Sequence, residues 1–150
     1  MSSYDGLKTI DILLVEDSKS DAHLTIETLS ESRILNQLHW VKDGAEAIDF
    51  LYKQGQYHEA PRPDLIVLDL NLPKKNGREV LAQIKSDENL KTIPVVILTT
   101  SVAEQDILKS YRLQANCYLV KPVDLDRFIA VIKSIENFWL TAVKFPPSED

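Results

Sequence analysis

The sequence predicts an α/β domain whose five short strands form one doubly wound parallel sheet. Three observations carry this. Apolar segments recur at 10–15, 38–41, 65–70, 94–99 and 117–120. The first, third and fourth are near-continuous runs (Ile-Leu-Leu-Val, Leu-Ile-Val-Leu, Val-Val-Ile-Leu), as strands buried on both faces require. Helix-period stretches separate them, so strand and helix alternate, which implies right-handed βαβ crossovers with helices on both faces of the sheet.

The helices follow in order. Ser18 opens the first, with Asp21 three residues on in a capping-box-like start, and Ala22, Ile26 and Leu29 mark its buried stripe. Ala45, Ile48, Phe50 and Leu51 mark the second, and Val80, Leu81 and Ile84 the third. The fourth carries Ala103, Ile107, Leu108 and Tyr111. The fifth starts near Asp124, a good N-cap, and runs through Leu125, Phe128, Ile129, Ile132, Ile135 and Trp139 at spacings of three and four. Residues 52–63 are rich in Gly, Pro and polar side chains and read as a long surface loop, and 146–150 as a frayed tail.

Composition bounds the function. The chain has 150 residues, 44% hydrophobic and 27% charged, the mix of one soluble globular domain over 1–150. No run approaches the ~18 uncharged apolar residues of a membrane span, and the N-terminus lacks a signal-peptide pattern. A net charge of −6, with no Lys/Arg cluster larger than Lys74-Lys75, argues against nucleic-acid binding. The single cysteine, Cys117, cannot form an internal disulfide, which fits a reducing cytoplasm; its bland reading is a small core residue. His23, His39 and His58 lack ligand spacing and read as structural or solvent-facing.

In a doubly wound sheet, function collects at the carboxyl ends of the strands. Here strand one ends in Glu16-Asp17, strand three in Asp69, strand four in Thr99-Thr100 and strand five in Lys121-Pro122. One acid after an apolar strand is usually a cap or turn residue. Several on one sheet edge, with a lysine, outweigh that reading. Two unit charges ~5 Å apart repel by about 3 kcal/mol at an effective dielectric of about 20. Clustered carboxylates therefore call for a cation, a proton or both. Hard oxygen donors suit Mg²⁺ or another small divalent cation, with Asp17 and Asp69 as direct ligands, Glu16 longer and acting through water, and the Asn71 backbone carbonyl adding another. Lys121 supplies a fixed positive charge opposite. A carboxylate so placed is set up to attack phosphorus and form an aspartyl phosphate, with the Thr99 hydroxyl in reach of a phosphoryl oxygen.

Leu-Leu-Val-Glu-Asp (13–17), Asp43-Gly44, Leu-Asp-Leu-Asn-Leu-Pro (68–73) with Gly77, Leu-Thr-Thr (98–100) and Tyr-Leu-Val-Lys-Pro (118–122) together resemble the receiver domain of two-component response regulators. The resemblance covers about 8–140 and leaves 141–150 as an extension. It implies a flavodoxin-like fold with strand order 2-1-3-4-5 and a cis Lys121-Pro122 bond. It implies Asp69 as phosphoacceptor, Glu16 and Asp17 as the acidic metal-binding pair, and Thr99 with Tyr118 as switch residues. Three features depart from the usual pattern: Glu16 where Asp is frequent, Cys117 before Tyr118, and a longer 54–63 segment. That segment, with 71–81, Asn-Cys-Tyr-Leu and Phe138-Trp139-Leu140, is most similar to the small response regulators paired with cyanobacterial phytochromes. The phosphodonor implied is the histidine of a light-regulated sensor histidine kinase.

Output domains find no room after residue 150, so the expectation is a stand-alone phosphorylation switch, not an enzyme, acting through protein–protein contact or phosphate relay. A homodimer is the expectation through the fourth helical stretch, the fifth strand and the fifth helical stretch, extended by Val143 and Phe145; an extension folded back on its own domain is the alternative. One competing function is a small aspartate-nucleophile phosphohydrolase, which needs a general acid where Asn71 stands. Another is a receiver-like binding module that is never phosphorylated, against which intact Glu16, Asp17, Asp69, Thr99 and Lys121 argue. A nucleotide cradle fails because the turn after strand one is acidic and lacks glycine.

Overall fold

The computed structural model describes residues 9–31, 35–70, 72, 77–100 and 117–134. Five strands, β1 (Ile10–Val15), β2 (Asn36–Val41), β3 (Leu65–Asp69), β4 (Val95–Thr99) and β5 (Cys117–Val120), form one parallel sheet in the order β2-β1-β3-β4-β5. This is the flavodoxin-like order the motifs implied. β3 and β4 are buried throughout and β1 is buried except at Asp11, which explains their near-continuous apolar runs. β2 is an edge strand and only half-buried, so its first two residues, Asn36 and Gln37, are polar. They nonetheless pair with Ile10 and Asp11, and the strand therefore begins two residues before its apolar segment.

Strand parity sorts the core into two layers. Leu13, Val15, Ile66, Leu68, Val95 and Ile97 face α2 (Gly44–Leu51) and α3 (Gly77–Ser86). Ile12, Leu14, Leu65, Val67, Val96, Leu98 and Leu119 face α1 (Lys19–Ser30) and Phe128 of the helix Leu125–Ser134. Helices thus cover both faces, the doubly wound arrangement expected.

Helix starts follow the caps. The Ser18 side chain accepts a hydrogen bond from Asp21 N–H, Asp43 caps α2 by accepting from Glu46 N–H, and Asp124 accepts from Arg127 N–H. Two expectations need correction. The Asp43 cap sets the phase of α2 so that Gly44, Ala47, Phe50 and Leu51 are buried, and Ala45 is exposed. Only half of a capping box forms at α1: Ser18 N–H donates to Glu16 Oε2 rather than to Asp21. The 52–63 loop contains one 3₁₀ turn, Gly55–Tyr57, and Tyr57 packs its ring 5.4 Å from Phe50. The fourth helical stretch, the extension 141–150, Ile135, Phe138, Trp139, and the side chains of Cys117 and Ile132 lie outside the described residues.

Candidate functional site

The same parity builds the site. Glu16 continues the Ile12–Leu14 alternation, Asp69 the Leu65–Val67 alternation, and Lys121 stands two residues after Leu119. All three emerge at the carboxyl edge on the face covered by α1. Thr99 and Tyr118 carry the other parity. Thr99 follows Ile97 by two, and Tyr118, paired with Ile97, packs partly buried against the layer of α2 and α3. The edge closes where Lys121 N–H donates to the Thr99 carbonyl at 2.8 Å. The Lys121-Pro122 bond is cis, as the resemblance implied.

The ammonium of Lys121 gathers three carboxylates. Its Nζ lies 2.8 Å from Glu16 Oε1, 2.9 Å from Asp69 Oδ2 and 3.1 Å from Asp21 Oδ2. One oxygen each from Glu16, Asp17 and Asp69 falls within 4.8 Å of the others. Glu16 and Asp69 are buried, whereas Asp17 is exposed at the mouth. Thr99 is fully buried at the end of β4. Asn71 lies outside the described residues.

Burial, the largest cause, pushes the Glu16 carboxyl up from 4.5 to about 7; neighbouring Asp69 adds to the rise, and Lys121 and the Ser18 N–H oppose it. Burial alone would lower Lys121, but its bonds to Glu16 and Asp69 outweigh that and hold it above the ordinary lysine value. The Tyr118 hydroxyl is raised by burial. Oε1 of Glu16 is shut off from solvent, and it meets Lys121 Nζ as an ion pair without hydrogen-bond alignment. A buried oxygen with lone-pair capacity to spare, beside two more carboxylates, is a donor set that a hard divalent cation fits.

Sequence reasoning missed Asp21. Its place three residues after Ser18 read as helix capping only, because strand-end logic examines the residues directly after each strand. The available signal was phase: Asp21 lies one turn into the helix that covers the face bearing Glu16 and Lys121.

Gly77 closes the floor of the site. A Cβ there would stand 2.5 Å from Leu70 Cα and 2.6 Å from the Asp69 carbonyl, so α3 can start against the Asp69 strand end only with glycine.

A five-stranded parallel sheet with acids and a lysine at its carboxyl edge defines a receiver. A family model described as the response regulator receiver domain matches residues 12–133, and the chain belongs to that family. Among its relatives is response regulator Rcp1 of Synechocystis sp., 53% identical over 135 residues, which span 90% of this chain and 92% of Rcp1. The Mn(2+)-bound form of Rcp1 superposes with a TM-score of 0.71 at 52% identity, covering 91% of this chain and 99% of that one. The bacteriophytochrome response regulator RtBRR superposes with a TM-score of 0.83 at 45% identity, over 93% of this chain and 84% of that one. The phosphorylated cyanobacterial phytochrome response regulator RcpA gives 0.73 at 51%, over 92% and 99%. The protein is a receiver-domain response regulator closely related to the phytochrome response regulators.

Proposed function

We propose that Asp69 accepts a phosphoryl group from a sensor histidine kinase linked to a phytochrome, and that the modification switches protein–protein contacts. A carboxylate oxygen of Asp69 forms the new P–O bond as the P–N bond of the phosphohistidine breaks, its electron pair returning to the imidazole. Glu16, Asp17, Asp69 and the Asn71 carbonyl hold the cation, for which Mg²⁺ is the choice, and when bound it neutralises the phosphoryl oxygens. Lys121 offers its ammonium to the same oxygens. Thr99 turns its hydroxyl toward the phosphoryl group and Tyr118 moves inward, biasing a two-state equilibrium. The observation that carries the reading is Lys121 ion-paired with both Glu16 and Asp69 inside an oxygen cluster that one cation can share. The names of RcpA and RtBRR support the phytochrome assignment.

In this reading the chain receives a phosphoryl group without turning over substrate, in the cytoplasm, with no nucleic-acid or membrane partner. Among the described residues no helix is long and apolar enough to cross a membrane. Asn71 in place of a general acid disfavours the phosphohydrolase. Pairing of two copies through the fourth helical stretch, β5, the fifth helical stretch and the extension belongs to the same proposal. Sedimentation at micromolar concentration tests it, and a concentration-independent monomer would refute the pairing.

The test of the main reading is transfer from an autophosphorylated phytochrome-linked histidine kinase. Label is expected to move to this chain with Mg²⁺ present and to stay on the kinase with Asp69→Asn. Transfer to Asp69→Asn, or rapid release of phosphate over many turnovers, would contradict it.

A further inference from the structure

Three carboxylates lie within 3.1 Å of the Lys121 ammonium: it donates hydrogen bonds to Asp69 and Asp21 and meets Glu16 as an ion pair. Glu16 and Asp69 belong to the oxygen cluster that a cation can share, whereas Asp21 does not. A cation seated in that cluster competes with Lys121 for two of its three partners. The Lys121 side chain is 15% exposed, and its ammonium sits on a long flexible stem. Without a fixed partner it would be free to swing away from Asp69.

Asp21 is built to prevent that. It stands in the first turn of α1, and its backbone N–H is held by the Ser18 side chain at 3.2 Å. Its side chain is 44% exposed, so holding a charge there is inexpensive. The bond to Lys121 joins residues 100 apart in sequence and ties α1 to the end of β5. We infer that Asp21 is a positioning residue, which keeps the Lys121 ammonium over Asp69 once a cation has claimed Glu16 and Asp69. This rests on the phosphoacceptor reading of Asp69 and adds a residue to it.

The test uses the full chain with Mg²⁺ and acetyl phosphate. Asp21→Ala, Asp21→Asn and Asp21→Glu are compared by calorimetric Mg²⁺ affinity and by the rate of Asp69 labelling at saturating Mg²⁺. The half-exposed side chain and the backbone nature of the Ser18 bond keep these variants folded. Asp21→Ala is expected to slow labelling by roughly tenfold, the effect of losing one charge-assisted hydrogen bond. Asp21→Glu should recover most of that rate. Mg²⁺ affinity should change by less than about threefold, as for a screened charge outside the ligand set. In a Lys121→Ala background, Asp21→Ala should have no further effect on either readout. An unchanged labelling rate in Asp21→Ala would overturn the inference. So would a loss confined to Mg²⁺ affinity, or an equal loss in the Lys121→Ala background. Wild-type protein that takes no label would instead refute the phosphoacceptor reading itself.

Discussion

Burying Glu16 completely beside Asp69 sets two effects against each other: desolvation favours the neutral acid, and Lys121 favours the carboxylate. Desolvation wins, and the folded carboxyl rises to about 7 against an ordinary 4.5. The folded state then holds more protons than the unfolded state between these values. Stability contributed by this group is therefore present below about 4.5 and is lost as pH rises through about 7 in cation-free buffer. Cation binding needs the ionised form, so Mg²⁺ affinity should rise severalfold between about pH 6 and 8, with proton release near pH 6 visible by calorimetry in buffers of different ionisation heat. A flat affinity over that range would show that Glu16 is ionised throughout. Asp69→Asn removes a like charge while leaving Lys121 its bonds to Glu16 and Asp21. In cation-free buffer near pH 8 its Tm should exceed the wild type by about 3 °C, and the gain should shrink near pH 6, where Glu16 is protonated. A lower Tm at pH 8 would mean that the Lys121–Asp69 bond outweighs the repulsion. At this scale Glu16, Asp17, Asp69 and Lys121 were legible from strand ends alone. Lys121, read as the positive charge facing the acids, lies within ion-pair distance of Glu16 and Asp69. Asp21 escaped because its role depends on how α1 lies across the sheet.

Elements were legible where burial is one-sided or total. β1 and β5 have the bounds their apolar runs suggest, while β2 extends into Asn36 and Gln37 because an edge strand pairs by backbone and tolerates polar side chains. α2 was misphased by Ala45, since alanine is equally at home on either face and the cap at Asp43 decides. Gly77 was a motif residue in the sequence and has a steric reason in the fold. Gly77→Ala must push backbone atoms of Asp69 and Leu70 aside, and should destabilise by about 1–3 kcal/mol in urea unfolding, as overpacking does. It should also weaken Mg²⁺ binding, because the displaced backbone carries Asp69. Wild-type stability and affinity in that variant would show that α3 can retreat without cost.

For the whole molecule, the two apolar layers fix the sheet and thereby bring the acids together at its edge. The core supplies stability that a charged rim withdraws, so a cation should return it. Mg²⁺ at about 100 times its Kd should stabilise the fold by about 2.7 kcal/mol, or roughly 5–10 °C in Tm. Asp17→Ala, a change at an exposed position, should abolish most of that rise without altering the cation-free Tm by more than about 1–2 °C. The doubly wound class was legible because near-continuous apolar runs alternate with period-3.6 stretches along the chain. Which side chains converge across the sheet was legible only as far as strand parity reaches.

Intact-mass analysis after incubation with acetyl phosphate measures the chemistry at Asp69 most directly. Wild-type protein is expected to gain one phosphoryl group that hydroxylamine removes, and to gain none when Mg²⁺ is chelated or when Asp69 is replaced by Asn. A phosphoryl group that survives hydroxylamine, forms without a divalent cation or appears on Asp69→Asn would contradict an aspartyl phosphate formed within this carboxylate–lysine cluster.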